Sequence, residues 1–496
     1  MQKPNNVTSE EWKRLIQEMD EIQSTDTLGT KDGTKIKNGP GINFDLKPEE
    51  LEAYLNQYVI DQESAVEILA TKICTHFNRM KLERKGQILK PIYGNIKNNI
   101  LMIGPTGVGK TFIIKLIADK IGVPFVKADA TKFSETGYVG GDVADLVRDL
   151  VYVADGNIQE AEYGIIYIDE IDKIASSKNS TGPDVSRTGV QRNLLKLMED
   201  CEVNLRVPHD LASQMEAAIQ AQKTGKVERK VINTKNILFI VSGAFSGLEK
   251  IIEKRINKSG IGFNSDIRAK NEFRSDIFKL AKTEDFIEYG FESEFIGRLP
   301  VIAVLDPLDI NGLYKILKNE NASVILSKKM DFAAYGIEIE FTDSALRKIA
   351  ELAYKEKTGA RGLSSVIEKL LIKFEKKLPS TAIKKLIIDD NLLENPGKAL
   401  ENLINESVFL SFSSNFFKKH GIKLEFTKEA EEIIRKFAKD KNITVEQYLK
   451  LIFENYGYGL KLLQTTNFVV DENVALDPES YLNNLIKKNY SNKKEV

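Results

Sequence analysis

Lys110 and Thr111 close the run GPTGVGKT at 104–111, and Asp169 and Glu170 close GIIYIDE further on. Together these residues have the types and spacing needed to hold and cleave a phosphate chain. In G-x-x-x-x-G-K-T, the loop of Pro105, Thr106, Gly107, Val108 and Gly109 turns backbone N–H groups toward a phosphate that bulkier residues would keep away. Lys110 then meets the β- and γ-phosphates, and the Thr111 hydroxyl faces Mg²⁺. An acidic pair ending a strand complements this: Asp169 holds Mg²⁺ through water, and Glu170 polarises the attacking water. Taken singly, a glycine loop is also a turn before a buried helix, and an acidic pair also caps a helix. Both segments in one chain point to a P-loop ATPase.

Those residues need a strand, a loop and a helix N-terminus in that order. The apolar run Ile100-Leu101-Met102-Ile103 precedes the loop, and a helical pattern with Ile113, Ile114, Leu116 and Ile117 follows it. A helix start adds its own unsatisfied N–H groups and positive dipole end to the phosphate site. A second buried strand, 165–168, carries the acids to the same place. A third, ILFIVSGAF, carries Ser242 near its end, where a polar residue can hydrogen-bond the γ-phosphate or the lytic water. The region 47–85 reads as helical, with YVIDQESAVEILATKI at its centre.

Three loops carry side chains that a simple connection does not need. In SETGYVGGD, glycines flank Tyr138 and Val139, the pattern of a mobile loop presenting a bulky pair or of a turn with a tucked-in tyrosine. KSGIGFNSD strands Ile261, Gly262 and Phe263 among polar residues, which suggests a docking plug. FESEFIGRLP places Arg298 before the strand VIAVL, where it serves either as a structural ion-pair donor or as a group reaching a neighbour's phosphates.

Composition narrows the classes. At 496 residues the chain holds two to four domains, and 71 Lys plus Arg nearly cancel 72 Asp plus Glu. Nothing in that balance favours a nucleic-acid backbone or an anionic membrane surface. Two cysteines, Cys74 and Cys201, and three histidines leave no structural zinc cluster and suit a reducing cytosol. No run of about 18 apolar residues occurs, and the first residues lack an apolar signal region. The expectation is a cytoplasmic protein with no membrane partner.

The segments GYVG, IYIDEIDK, SGIGF, EFIGRLP and TGARGL occur in the order found in ClpX-type AAA+ unfoldases of the Clp/HSP100 family, which the chain resembles over 46–389. The resemblance implies a homo-hexameric ring that binds ATP and Mg²⁺ and threads protein substrates. It implies that Tyr138 and Val139 form the pore loop, and that Val59 and Ile60 contact adenine. Glu170 resembles the catalytic base, Ser242 the sensor-1 position, Arg298 the arginine finger donated to the adjacent subunit, and Arg361 the sensor-2 arginine. Ile261-Gly262-Phe263 resembles the loop that docks on a ClpP peptidase.

Several features depart from the family pattern. Two cysteines cannot supply the usual four-cysteine zinc domain, the usual glycine of YVIDQ is Asp61, and the basic pore-entrance loop is not recognisable in 203–234. Some motifs are closer to the sister unfoldase HslU, although its long intermediate insertion is absent. The leading expectation is an unfoldase feeding a ClpP-like peptidase. The alternatives are a stand-alone remodelling chaperone, an HslU-like unfoldase with an HslV-type partner, and a nucleic-acid motor, which the charge and the aromatic loop disfavour.

A repeat lies outside the family pattern. GIEIEFTDSALRKIAELA, from Gly336, matches GIKLEFTKEAEEIIRKFA, from Gly421, at an offset of 421 − 336 = 85, and LIIDDN is matched later by FVVDEN. Thr342 and Thr427 are each placed to cap the following helix. At that offset Glu446 stands where the first copy has Arg361, and a carboxylate there would repel a triphosphate. The expected α/β organisation is therefore an N-terminal helix and linker (1–45), a P-loop AAA+ large domain with a parallel sheet and flanking helices (46–308), a small, mainly helical domain (309–397), and a degenerate copy of that small domain (398–496).

Overall fold

A computed structural model describes residues 45–84, 97–134, 141–176, 185–205, 230–259, 275–321 and 323–492. The expected N-terminal helix and linker, Tyr138 and Val139, most of the 203–234 insertion, and Ile261-Gly262-Phe263 lie outside these residues.

Five parallel strands form the central sheet: β1 (Ile100–Ile103), β2 (Phe125–Asp129), β3 (Ile165–Asp169), β4 (Leu238–Gly243) and β5 (Val301–Val304), in the order β2-β3-β4-β1-β5. Every residue of β1 and β4 is buried. A parallel sheet covered on both faces demands this, and it explains why these runs are apolar without alternation. Leu101, Ile103, Ile166, Ile168, Phe239 and Val241 join one core beneath the flanking helices. Because all strands run the same way, their carboxyl ends share one edge, the usual ligand edge of such sheets.

The region expected to be helical over 47–85 is two helices, α1 (Pro48–Leu55) and α2 (Glu63–Arg84), separated by a non-helical loop. Side-chain contacts with residues that follow β5 hold that loop out of the helix. Gln62 Nε2 donates to Asp306 O and Gln62 Oε1 accepts from Asp306 N, both at 2.8 Å. Asn319 Nδ2 donates to Gln57 O at 2.8 Å. Asp61 adopts φ +54°, a backbone region that glycine occupies more readily.

After β5 the chain enters α4 (Ile310–Lys318) and α5 (Ser323–Ala333), then β6 (Glu338–Phe341), α6 (Asp343–Lys355), α7 (Ala360–Lys377) and β7 (Lys385–Ile388). Strands β6 and β7 pair in parallel, and Thr342 Oγ1 caps α6 by accepting from Ala345 N.

The same plan recurs. After α8 (Pro396–His420) come β8 (Lys423–Phe426), α9 (Lys428–Asp440), the shorter pair α10 (Val445–Ile452) and α11 (Tyr456–Leu462), β9 (Asn467–Val470) and α12 (Pro478–Asn492). Strands β8 and β9 are again parallel, and Thr427 Oγ1 accepts from Ala430 N. The paired first strands start 423 − 338 = 85 residues apart and the paired second strands 467 − 385 = 82, so the second unit is three residues shorter between its strands. Its own core includes Phe409, Leu424, Ile434, Leu449 and Val470. Helix α8 runs through the expected 397/398 boundary, closing the first unit and opening the second.

Candidate nucleotide site

The phosphate loop leaves β1 and opens directly into α3 (Lys110–Ile121), with Gly109 at φ +97° as the residue before the helix. No side chain caps that N-terminus. Its first N–H groups are therefore available to an anion, and the helix dipole favours one. Lys110 Nζ donates to Gly104 O at 2.7 Å and to Pro105 O at 2.9 Å, so the ammonium is folded back over its own loop. Burial pushes the Lys110 pKa below its ordinary value; Arg361 adds to the effect while Asp169, Asp172 and Glu170 oppose it.

The acids arrive through sheet register. Ile168 pairs with Val241, which brings the next residues, Asp169 and Ser242, side by side at the carboxyl edge. Ser242 Oγ donates to Asp169 Oδ1 at 2.6 Å, and Thr111 Oγ1 donates to Asp169 Oδ2 at 3.2 Å. Glu170 follows with φ +58°, and the turn away from β3 leaves its carboxylate on the cavity wall while its N–H donates to Asp169 Oδ1 at 3.0 Å. Ser242 is wholly buried, and its hydroxyl faces Asp169.

The loop, the two acids and the start of α3 line a cavity of about 400 Å³, a volume suited to a nucleotide, whereas Ser242 and Pro105 are not on its wall. Thr106, Gly107, Val108, Gly109, Lys110, Thr111, Asp169 and Glu170 form its polar wall. Val59 and Ile60, from the loop between α1 and α2, share the apolar end with Tyr58, Leu308, Ile316 and Val324. Arg361, the second residue of α7, enters from the small domain. The two domains meet at the loop itself, where Ala360 N donates to Gly107 O at 2.8 Å. The oxygen donors of Thr111 and Asp169 suit a hard cation such as Mg²⁺. Among the described residues no cluster of His, Cys, Asp and Glu forms a separate metal site.

Arg298 stands apart from this cavity. Its Nη2 pairs with Glu199 Oε1 at 2.6 Å, and its carbonyl accepts from Asn99 Nδ2 at 3.1 Å. Asn99 directly precedes the first residue of β1, whereas the phosphate loop follows the last, roughly 10 Å along the strand. Arg298 therefore lies toward the amino edge of the sheet and the phosphate loop at the carboxyl edge.

Sequence reasoning did not single out Tyr167 or Asp172. Tyr167 lies two residues before Asp169, and the two-residue period of a strand puts both on one face. That spacing was a usable signal. Asp172, 7% exposed, reaches the cavity through a short helical turn after Glu170 that no spacing rule announces.

Comparison with known proteins bears on this geometry. Residues 95–302 match the AAA domain of the Cdc48 subfamily, and residues 311–379 match the C-terminal D2-small domain of ClpB protein. The chain is 39% identical over 373 residues to the ATP-dependent Clp protease ATP-binding subunit ClpX 3 of Methylococcus capsulatus, covering 72% of this chain and 82% of that protein. It is 40% identical over 351 residues to the ATP-dependent Clp protease ATP-binding subunit ClpX of Borrelia duttonii and to that of Borrelia recurrentis, covering 70% of this chain and 78% of each relative.

Proposed function

The chain belongs to the ClpX family of AAA+ ATPases, and on that premise we propose that it assembles as a homo-hexameric ring, unfolds protein substrates with the energy of ATP, and passes them to a ClpP-like peptidase. The observation that carries this reading is a nucleotide cavity lined from two domains, by the phosphate loop on one side and Arg361 on the other. A ligand in contact with both must move one against the other when its charge changes, which is how nucleotide turnover becomes mechanical work.

In this reading the loop N–H groups and Lys110 bind the phosphates, Lys110 exchanging its contacts with Gly104 O and Pro105 O for phosphate oxygens. Val59 and Ile60 pack on adenine. Thr111 and Asp169 would hold Mg²⁺, which when bound neutralises phosphate charge. Glu170 accepts a proton from the attacking water. Ser242 orients Asp169 and senses the nucleotide through it. Arg361 follows the γ-phosphate and carries the small domain with it. Arg298, at the other edge of its own sheet, acts on the ATP of the neighbouring subunit. Tyr138 and Val139 grip the polypeptide in the ring's pore, and Ile261, Gly262 and Phe263 seat the peptidase.

The C-terminal unit is a duplicate of the small domain that holds no nucleotide. Glu446, at the position of Arg361, pairs instead with Lys450 at 2.7 Å on its own helix. No described helix is long and apolar enough to cross a membrane.

The test is ATP-dependent degradation of an unfoldable substrate with purified ClpP, comparing the protein with its Phe263→Ala variant. Degradation that disappears in the variant while ATP turnover persists supports the peptidase-linked role. ATP-driven unfolding with neither binding to nor degradation by ClpP would overturn it.

A further inference from the structure

Tyr167 is wholly buried in β3, with its ring stacked on Phe125 at a centroid distance of 6.5 Å. Its phenol oxygen lies 2.6 Å from Ser242 Oγ and 3.3 Å from Thr111 Oγ1. Those two hydroxyls are in turn 2.6 Å and 3.2 Å from the two carboxylate oxygens of Asp169. Three hydroxyls and one carboxylate thus close a ring behind the cavity wall, and Tyr167 is the only member of the four that belongs neither to the phosphate loop, nor to the acidic pair, nor to the neighbouring strand tip.

The directions of these bonds follow from counting protons. A carboxylate can only accept, and each hydroxyl has one proton to give. The short Ser242 to Asp169 contact is a charge-assisted bond that takes the serine proton. The 2.6 Å contact between Tyr167 and Ser242 must then use the tyrosine proton. Thr111 directs its own proton inward, to Asp169 Oδ2, and accepts from Lys127 Nζ at 3.5 Å, which leaves it one further lone pair.

We propose that Tyr167 is a positioning residue for the divalent cation of the nucleotide site: by donating to Ser242 it commits the serine proton to Asp169 and so helps to set the carboxylate's rotation toward the metal. Phenylalanine would fill the same volume, but Ser242 would then be free to turn its proton elsewhere, leaving Asp169 Oδ1 held by Glu170 N alone. The proposal rests on the nucleotide-site reading above.

The test uses full-length protein and a fluorescent ADP derivative, titrated with and without Mg²⁺, for the parent, Tyr167→Phe, Ser242→Ala and the double variant. The loss of one oriented hydrogen bond predicts a Mg²⁺ midpoint raised about three- to tenfold in Tyr167→Phe, with metal-free affinity unchanged. Because Tyr167 acts through Ser242, the double variant should be no worse than Ser242→Ala alone. An unshifted midpoint, additive effects of the two changes, or a fall in metal-free affinity parallel to a fall in melting temperature would each overturn the proposal, the last by showing a merely structural role. A parent protein that binds no ADP would instead overturn the nucleotide-site reading, and this proposal with it.

Discussion

Gly107 of the phosphate loop and Gly359 before α7 face each other so closely that neither tolerates a side chain. A Cβ on Gly107 would collide with Thr358 O, and one on Gly359 would lie 2.7 Å from Gly107 O. Both also hold positive φ, +80° and +62°. The small domain therefore rests its α7 N-terminus directly on the loop between β1 and α3. A Gly359→Ala change must separate the two backbones at a cost on the order of 1–3 kcal/mol. ATP turnover should fall about tenfold or more while both domains stay folded by circular dichroism, and turnover equal to the parent's would refute this dependence.

Arg298 and the phosphate loop occupy opposite edges of one sheet, so the ring reading predicts complementation. Arg298→Ala should bind nucleotide nearly as well as the parent and lose roughly 10³-fold in turnover, and Lys110→Ala should lose binding itself. Mixing the two inactive proteins creates interfaces that pair an intact Lys110 with a neighbour's intact Arg298. Steady-state hydrolysis should reappear in the mixture. A mixture as inactive as its components would show that Arg298 does not serve a neighbouring site.

Asp61 combines a left-handed backbone with an ion pair, its Oδ1 lying 2.7 Å from Lys315 Nζ on α4. This ties the loop that carries Val59 and Ile60 to the first helix after the sheet. Glycine at 61 keeps the backbone and loses the pair, whereas alanine loses the pair and strains the backbone. Urea unfolding should place Asp61→Ala about 1 kcal/mol below Asp61→Gly. Added salt should lower the parent's midpoint more than that of the glycine variant, because the pair is exposed and screened. Equal midpoints for alanine and glycine would contradict the strained geometry.

His76 is 7% exposed, with its Nε2 3.1 Å from Asn236 O. Burial, aided by Lys97 and Arg79 and opposed by the Asn236 contact, lowers its pKa to about 4 from 6.5. Between those values the unfolded chain binds more protons than the folded one, so this residue's contribution to stability is intact above pH 6.5 and is lost as the pH falls toward 4. The full loss is on the order of 3 kcal/mol. His76→Gln keeps a donor for Asn236 O and cannot titrate. Its denaturation free energy should therefore decline less than the parent's across that window, and parallel declines would exclude the buried neutral imidazole.

Much of the site was legible because its chemistry is local in sequence. A glycine loop between a buried strand and a helix can be read from one octapeptide, and an acidic pair after an apolar run from another. The helical reading of 47–85 missed its break because local periodicity cannot register Gln62 bonding to Asp306 or Asn319 to Gln57, partners more than 240 residues away. Ser242 was legible as a strand-tip residue, but its partner was not, since only the register of β3 against β4 sets it beside Asp169.

By itself, the sequence determined the phosphate loop, the two acids, the buried parallel strands and the 85-residue repeat, because each depends on residue type and short-range spacing. Tertiary structure alone decided that Arg361 enters the cavity while Arg298 lies toward the opposite edge, that α8 is common to both small units, and that Tyr167 completes the ring of hydroxyls around Asp169. These depend on strand order, register and domain docking, in which residues far apart in the chain compete for the same space and the same hydrogen-bond partners.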